Sequence, residues 1–488
     1  MSGVLFFLSL VLGGTSVALL LPALVGATLG DGHAVDFLIV AGLGGFVAAA
    51  LRLALLGRVQ QVRRVQGYWL LILSWVLLSG FAALPFGPVV HWSVSDLLFE
   101  SVSALTTTGA TIFPTLEELP PSLIFWRAEL QWLGGFLTLL SVILILAPAG
   151  IGGLPDRQIR LIEHADRSEG AQMRSAVGEI ALIYCAATLA CVVALILSGL
   201  PIFDAVCLAF STLSTGGFFP RDGGIAVYGR PFAEFVLMFF MLVGATSVIW
   251  HRMVFQRRNQ LLREHRESYF IIGSAIVVGM IMAFTAIGGL RGAGGAVDAL
   301  TLLREGLFTG ISLVTTTGFE GGSVGFTVLP LTFVVFLAFI GGGTFSTAGG
   351  LKQYRFGGMC VQAYRDLVRL VYPHGIRPAY FGSQAYDIQL MKSIWSFFAI
   401  AIFAVFLGAN LIALEPIRFE GALLASVAAL SNIGPLYNPA WVDTIGTIPA
   451  YSEMSGQTKA VLMALMLLGR IEILALFGAL NRTYWLRR

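Results

Sequence analysis

Four short strings, TTTGA, STGGF, TTTGF and SNIGP, recur along the 488 residues, and nothing else in the chain restricts its fold as much. Their glycines, Gly109, Gly217, Gly318 and Gly434, lie 108, 101 and 116 residues apart. Each string closes a longer template. DLLFESVSALTTTGA from Asp96 and EGLFTGISLVTTTGF from Glu305 share leucine, phenylalanine, serine, three threonines and glycine without a gap. DAVCLAFSTLSTGGF from Asp204 and EGALLASVAALSNIGP from Glu420 follow the same plan. Such internal repetition means one structural unit used four times.

The surroundings of these units are lipid-like. Hydrophobic residues make up 57% of the chain and charged residues 12%, against roughly 25% charged in soluble domains; mean hydropathy is +0.84. Ten apolar runs are long enough to cross a bilayer: 4–27, 34–56, 67–87, 123–149, 176–199, 231–250, 268–289, 327–348, 393–414 and 457–480. The first lacks a basic leader and a small-residue cleavage site, so it is expected to be a retained helix. The reading is an all-α polytopic membrane protein: four pseudo-repeats of helix, pore half-helix, filter loop and helix around one central pore, plus two extra N-terminal transmembrane helices. The expected divisions are 1–64 for the leading helices, then 65–150, 151–258, 259–372 and 373–488 for the repeats.

Of the 30 basic residues, 21 fall in five segments that alternate with the spans. The positive-inside rule makes that side cytoplasmic and puts both termini there. Cys185, Cys191, Cys207 and Cys360 have no metal-ligand spacing and are expected to be mostly buried free thiols. His251 and His265, beside a basic segment, read as part of a solvated surface.

Each template begins with an acid, favourable at a helix N-terminus, and is too short to cross the membrane. It must re-enter, and irregular backbone at membrane depth is tolerated only inside protein or along a watery cavity. Four such turns on one axis make a pore whose half-helices aim partly negative C-termini inward, favouring a cation. Glycine there permits positive φ or an inward carbonyl, so that backbone oxygens can replace an ion's hydration shell. Small residues also serve as helix-packing patches, but four copies in phase favour the pore.

These residues resemble the Trk/Ktr/HKT superfamily of potassium transporters, and within it the TrkH-type subunit, across essentially the whole chain. The resemblance implies ion-binding filter residues at Thr107, Thr108 and Gly109; Thr215, Gly216 and Gly217; Thr316, Thr317 and Gly318; and Asn432, Ile433 and Gly434. Glycine at all four places is similar to the potassium-selective members, whereas sodium-selective plant relatives have serine in the first repeat. SNIGP is the least typical string and leaves pore asymmetry open.

FIGGGTFSTAGGLK at 339–352 interrupts an apolar run with five glycines, two threonines and a serine, which cannot remain helix cheaply. It is read as a loop inside the membrane. Its lysine is misplaced for a phosphate-binding GxxxxGK loop. By resemblance, Gly341, Gly342, Gly343, Thr344, Ser346, Thr347, Gly349, Gly350 and Lys352 form a gate; a packing kink is the other reading. Arg470 and Glu472 sit in the last apolar run, where ionisable groups are costly and face the bundle interior. By resemblance Arg470 faces the pore beneath the filter; a helix-locking contact with Glu472 is the alternative. Trp132, Gly134 and Gly135 in QWLGG also resemble a family motif, and packing explains them equally.

The implied function is potassium uptake across a bacterial inner membrane, gated by a cytoplasmic nucleotide-binding partner, with a KtrB-like sodium-dependent or less selective transporter as the alternative. The resemblance also implies a homodimer and a TrkA-type ring that binds the nucleotide itself, leaving this chain with no cofactor beyond potassium as cargo, lipid around it and no nucleic acid. The residues are compatible with a plain channel and with coupling to protons or sodium. A transporter of organic solutes would more often show inverted repeats, and no HExxH, GxSxG or paired carboxylates suggest an enzyme.

Overall fold

The computed structural model describes residues 2–57, 64–89, 92–146, 169–257, 262, 265–293, 298–372, 380–381, 384–385, 388–446 and 448–472. The expected divisions at 150, 258 and 373 lie outside these residues, as do the arginines at 157–167 and 482–488 and the last eight residues of the final apolar run. Two leading spans come first, α1 (Ser2–Ala18) continuing into α2 (Leu20–Leu29), then α3 (Ala34–Ala54). The first repeat is α4 (Arg64–Ala82), half-helix α5 (Val94–Leu105) and α6 (Pro121–Ser141). The second is α7 (Glu169–Leu197), α8 (Ile202–Leu213), α9 (Pro231–Ala245) and α10 (Val248–Phe255). The third is α11 (Arg266–Ala293), α12 (Ala299–Val314), α13 (Leu331–Ile340) and α14 (Gln353–Val371). The fourth is α15 (Ile388–Ile412), α16 (Phe419–Leu430) and α17 (Gly456–Ile471). A two-residue ladder, Tyr380–Phe381 with Gln384–Ala385, interrupts the helical pattern before α15.

Among the described residues seven helices are long and apolar enough to cross a membrane, eight if the bent pair α9 and α10 counts as one. The half-helices α5, α8 and α16 have 12 residues each, about 18 Å at 1.5 Å per residue, short of a hydrocarbon core of about 30 Å. Prolines set several starts: α6 and α9 begin on one, and Pro201 and Pro330 precede α8 and α13. The missing N–H falls where a helix has no use for it.

Two sequence expectations need correction. Residues 231–250 do not form one straight span: α9 and α10 meet at 104°, with Thr246 extended at φ −90°, ψ 158°. GATSV carries no proline and gave no sign of this. The freed backbone groups are taken up by the glycine-rich loop, as Val248 N donates to Phe345 O (2.9 Å) and Gly343 N to Ala245 O (3.0 Å). The two breaks satisfy each other, as membrane depth demands. The second correction is Glu305, which does not begin its half-helix. α12 starts at Ala299, and Glu305 instead accepts from Ser323 N at 2.5 Å on the loop that follows the third turn.

Surface expectations shift as well. His265 is buried, its Nδ1 3.3 Å from Ser268 Oγ, and His251 Nε2 lies 3.0 Å from Thr246 Oγ1 at the bend. Trp250 packing edge-on against Tyr269 covers this corner. All four cysteines are free, yet only Cys191 and Cys207 are buried; Cys185 and Cys360 are exposed on outer helix faces.

Helices α11 and α12 cross at glycines. A Cβ on Gly310 would meet the Gly279 Cα, and one on Gly306 would lie 2.6 Å from the Ala283 Cα. Small residues let membrane helices approach this closely. Gly310→Ala is therefore expected to cost about 1–3 kcal/mol by overpacking and to lower the thermal midpoint in detergent. An unchanged midpoint would mean that the helices do not touch there.

Candidate functional site: a ring of four turns above an intramembrane loop

All four half-helices end the same way. Thr108, Gly216, Thr317 and Ile433 donate their N–H to the carbonyls of Ser103, Ser211, Ser312 and Ala428 at 2.8–2.9 Å. The preceding residues, Thr107, Thr215, Thr316 and Asn432, donate to Ala104, Thr212, Leu313 and Ala429 at 3.0–3.2 Å. This pair of bonds is the Schellman closure, whose turning residue must be left-handed and is usually glycine. Here it is threonine three times and asparagine once, with φ of 52°, 52°, 59° and 53°. For a β-branched residue this conformation is an outlier costing of order 1–3 kcal/mol. The surrounding packing must hold it, and all four residues are 0% exposed.

Two residues later the chain turns left-handed again at Gly109 (φ 78°), Gly217 (84°) and Gly318 (87°). Gly434 does not, because it opens a short 3-10 turn, Gly434–Leu436, with Pro435 inside. The fourth string thus departs in geometry as in sequence.

The glycines also explain how the four turns meet. A Cβ on Gly109 would strike the Gly216 carbonyl of the second repeat; one on Gly217 would lie 2.5 Å from the Thr317 carbonyl of the third. One on Gly318 would lie 3.0 Å from Pro435 Cδ of the fourth, and one on Gly434 would strike Ala110 of the first. The contacts run 1 to 2, 2 to 3, 3 to 4 and 4 to 1, which closes a ring. Gly434 N donates to Thr108 O at 2.6 Å across the last joint. Side chains brace it: Gln131 Nε2 donates to Gly216 O (2.6 Å) and Asn432 Nδ2 to Thr108 Oγ1 (3.0 Å). Gly134 and Gly135 of QWLGG press on Leu105 O and Ser214, which makes that motif a support of the first two turns.

The ring's polar shoulders are ion-paired. Glu100 Oε1 accepts from Arg127 Nε at 2.7 Å, and its other oxygen accepts from Ile112 N at 3.0 Å. Thr309, the equivalent of Glu100 in the third repeat, accepts from Gly321 N and donates to Val324 O. Asp96 pairs with Lys459 at 2.5 Å and Asp204 with Arg221 at 2.6 Å. The repeat alignment places Glu100 and Thr309 in register, a signal that points to a shared task; the partners Arg127 and Lys459 carry no motif.

The 339–352 segment lies beside the ring as a true loop between α13 and α14. Thr347 Oγ1 donates to Leu213 O (2.8 Å) in the second repeat, and Gly349 N donates to Thr316 Oγ1 (2.7 Å) in the third. A Cβ on Gly349 would strike the Ser431 carbonyl in the fourth. Thr344 is clamped by Glu267, which accepts from its N–H at 2.7 Å and its hydroxyl at 2.6 Å. Gly341 and Gly350 are left-handed and pack on each other, Ser346 Oγ donates to Gly343 O, and Lys352 Nζ donates to Ala348 O. Gly342 N reaches the Gly349 carbonyl at 3.3 Å.

Arg470 supplies the first-repeat contact. Its Nε donates to Thr106 O at 2.6 Å, Nη1 to Thr347 O at 2.5 Å, and Nη2 to the Thr107 hydroxyl. It does not pair with Glu472. That carboxylate accepts from Arg355 Nη2 at 2.7 Å, and Arg355 stacks 4.1 Å over Phe397. The loop and Arg470 together touch all four turns. Glu267 and Arg355, which anchor the loop's two flanks, belong to no motif; the one local signal is that Glu267 is an acid in the first turn of α11.

The chain matches the family described as TrkH, cation transport protein, over residues 43–479. It is 30% identical over 435 residues to the Trk system potassium uptake protein TrkH of Salmonella typhimurium, with 87% of each chain covered. To the protein of the same name from Vibrio parahaemolyticus it is 30% identical over 485 residues, 96% of each. The crystal structure of the potassium transporter TrkH from Vibrio parahaemolyticus is similar at a TM-score of 0.85 and 27% identity, covering 99% of both chains.

Glu472→Ala is expected to destabilise the protein by about 3–5 kcal/mol, since it strands a buried arginine, while leaving the three bonds of Arg470 in place. Thermal denaturation of the purified variant checks this; wild-type stability would contradict the pairing with Arg355.

Proposed function

The chain belongs to the TrkH family of cation transport proteins, and on that premise we propose that it takes up potassium across the bacterial inner membrane through the ring of four turns. The observation that carries the proposal is the closed order of glycine contacts, which puts four left-handed turns around one axis. In this reading Thr107 to Gly109, Thr215 to Gly217, Thr316 to Gly318 and Asn432 to Gly434 bind the ion in place of its water, with backbone carbonyls as ligands. The half-helix C-termini add partial negative charge. Loop 341–352 and Arg470 are the gate: a passing cation requires the bonds of Arg470 to Thr106, Thr107 and Thr347 to open.

The protein works as a homodimer with both termini in the cytoplasm, and a cytoplasmic TrkA-type ring moves the gate when nucleotide binds to that ring. The names of the relatives, Trk system potassium uptake proteins, support the cargo and the existence of a system around this subunit. A less selective, KtrB-like transport of potassium and sodium is the second reading, favoured by the one turn that lacks the second left-handed residue, at Gly434. Expression in a potassium-uptake-deficient bacterium together with a compatible ring partner tests the proposal. Growth at low potassium is the expected result; failure with a correctly inserted protein would overturn it.

Gly109→Ser and Gly318→Ser should each raise sodium permeation relative to potassium several-fold, because a side chain would push on Gly216 O or Pro435. Bi-ionic flux measurements read this, and unchanged selectivity in both would put the ion's ligands elsewhere.

For Arg470, a cation within about 5 Å meets a repulsion on the order of 3 kcal/mol at an effective dielectric near 20. A third of that changes a rate about fivefold. Arg470→Ala should therefore raise basal flux several-fold and Arg470→Lys should keep most of the barrier. Unchanged flux in a folded Arg470→Ala protein would confine the residue to a packing role.

A further inference from the structure

The four turns leave the protein interior in register. The chain is buried through Ala110, Phe218, Phe319 and Gly434, and the next residue in each repeat, Thr111, Phe219, Glu320 and Pro435, is partly exposed. In the third repeat the segment after Gly318 runs back along α12 toward that helix's start: Gly321 N donates to Thr309 Oγ1 at 2.8 Å and Ser323 N to Glu305 at 2.5 Å. The intramembrane loop bonds instead at the half-helix ends, to Leu213 O and Thr316 Oγ1. The four partly exposed residues therefore rim the ring on the face away from that loop.

Glu320 is the one charged member of this rim. The acids on the ring's shoulders each have a cation: Glu100 has Arg127, Asp204 has Arg221, Glu234 has Arg304 and Asp96 has Lys459. Glu320 has amides only. Its Oε1 accepts from Phe326 N at 2.7 Å and its Oε2 from Asn438 Nδ2 at 3.3 Å, and among the described residues no arginine, lysine or histidine pairs with it. Amide donors hold the carboxylate in place without cancelling its charge. A fixed, unneutralised charge at the mouth of an apolar funnel focuses the field there and concentrates counter-ions.

We propose that the Glu320 carboxylate is a recruitment site for hydrated monovalent cations, which gathers the ion at the rim before it enters the ring. This rests on the reading of the ring as the cation path. The site sets how much cation is needed to fill the ring. The other role open to Glu320 is mechanical: Asn438 Nδ2 also donates to Pro435 O at 3.0 Å, so the side chain ties the third repeat to the fourth turn. The two roles differ in their response to salt, since only the electrostatic one is screened.

The test uses the full chain in proteoliposomes. Glu320→Gln should raise the potassium concentration for half-maximal flux about threefold or more at low ionic strength, whereas Glu320→Asp, which keeps the charge, should stay near wild type. N-methylglucamine chloride at about 1 M, where charges are screened beyond about 3 Å, should close most of the gap between Glu320→Gln and wild type. A gap that salt does not reduce, or equal losses in Glu320→Gln and Glu320→Asp, would overturn the proposal in favour of the mechanical tie. A second measurement needs no transport. A cysteine replaces Phe219, whose ring lies 4.2 Å from that of Phe319, or replaces Thr111 where the first variant does not fold. Its labelling by cationic and anionic methanethiosulfonate reagents is read by mass spectrometry on the peptide that carries it, so the native cysteines do not count. The cationic reagent should be favoured, and adding Glu320→Gln should lower that preference about threefold; an unchanged ratio would overturn the recruitment site. A wild-type chain that moved no potassium would defeat the reading of the ring, while the labelling ratio would still decide whether Glu320 draws cations to the rim.

Discussion

Everything in this structure depends on four stretches of non-helical backbone being satisfied inside the bundle of an apolar, membrane-spanning chain. Each half-helix turns its last residues through a Schellman closure, and each following loop fits into the next because a glycine has no side chain to obstruct it. The ring is thus a mutual constraint. Thr107, Thr215 and Thr316 are held left-handed against their own preference by neighbours that are held in turn, while Asn432 takes the same conformation at little cost. Strain of that kind is retained at sites that need a fixed backbone, which is what the proposed seat for an ion with carbonyl ligands requires.

The loop between α13 and α14 and the bend between α9 and α10 obey the same requirement. Each would be an unsatisfied break alone, and together they trade backbone hydrogen bonds. Arg470 is the joint between this layer and the ring. Its three donors reach two carbonyls and a hydroxyl, and among the described residues no carboxylate pairs with it, while Glu472 serves Arg355. A cation held by neutral acceptors beside a proposed cation path is a barrier that a modest rearrangement can remove. The loop meets the second and third turns through single hydrogen bonds to a backbone carbonyl and a threonine hydroxyl, while the Glu267 carboxylate anchors its Thr344 by two.

Period and composition made the architecture legible. The four templates gave the half-helices and the ring residues, and five glycines in fourteen residues gave the loop. What stayed hidden was long-range. The bend at Thr246 has no breaking residue of its own, because its support comes from a loop almost a hundred positions away. Glu305 looked like a helix start because the template begins there, yet α12 opens earlier and the acid holds Ser323. Arg470 and Glu472 are two residues apart and opposite in charge, which makes a helix-locking pair the alternative to a pore-facing Arg470; the backbone leaves the helix at Glu472 with φ of 61° and turns its carboxylate to Arg355 instead. His265 reads as surface from its basic neighbours and is buried by packing that no local pattern encodes.

The most direct test of the account is the reversal potential of the purified protein under opposed potassium and sodium gradients, with Arg470→Ala used to hold the path open. The account predicts a potential set mainly by the potassium gradient, shifted toward that of sodium when Gly109→Ser is added. A potential that ignores both gradients, or one unchanged by Gly109→Ser, would contradict the claim that the ring of four turns is where the ion is bound.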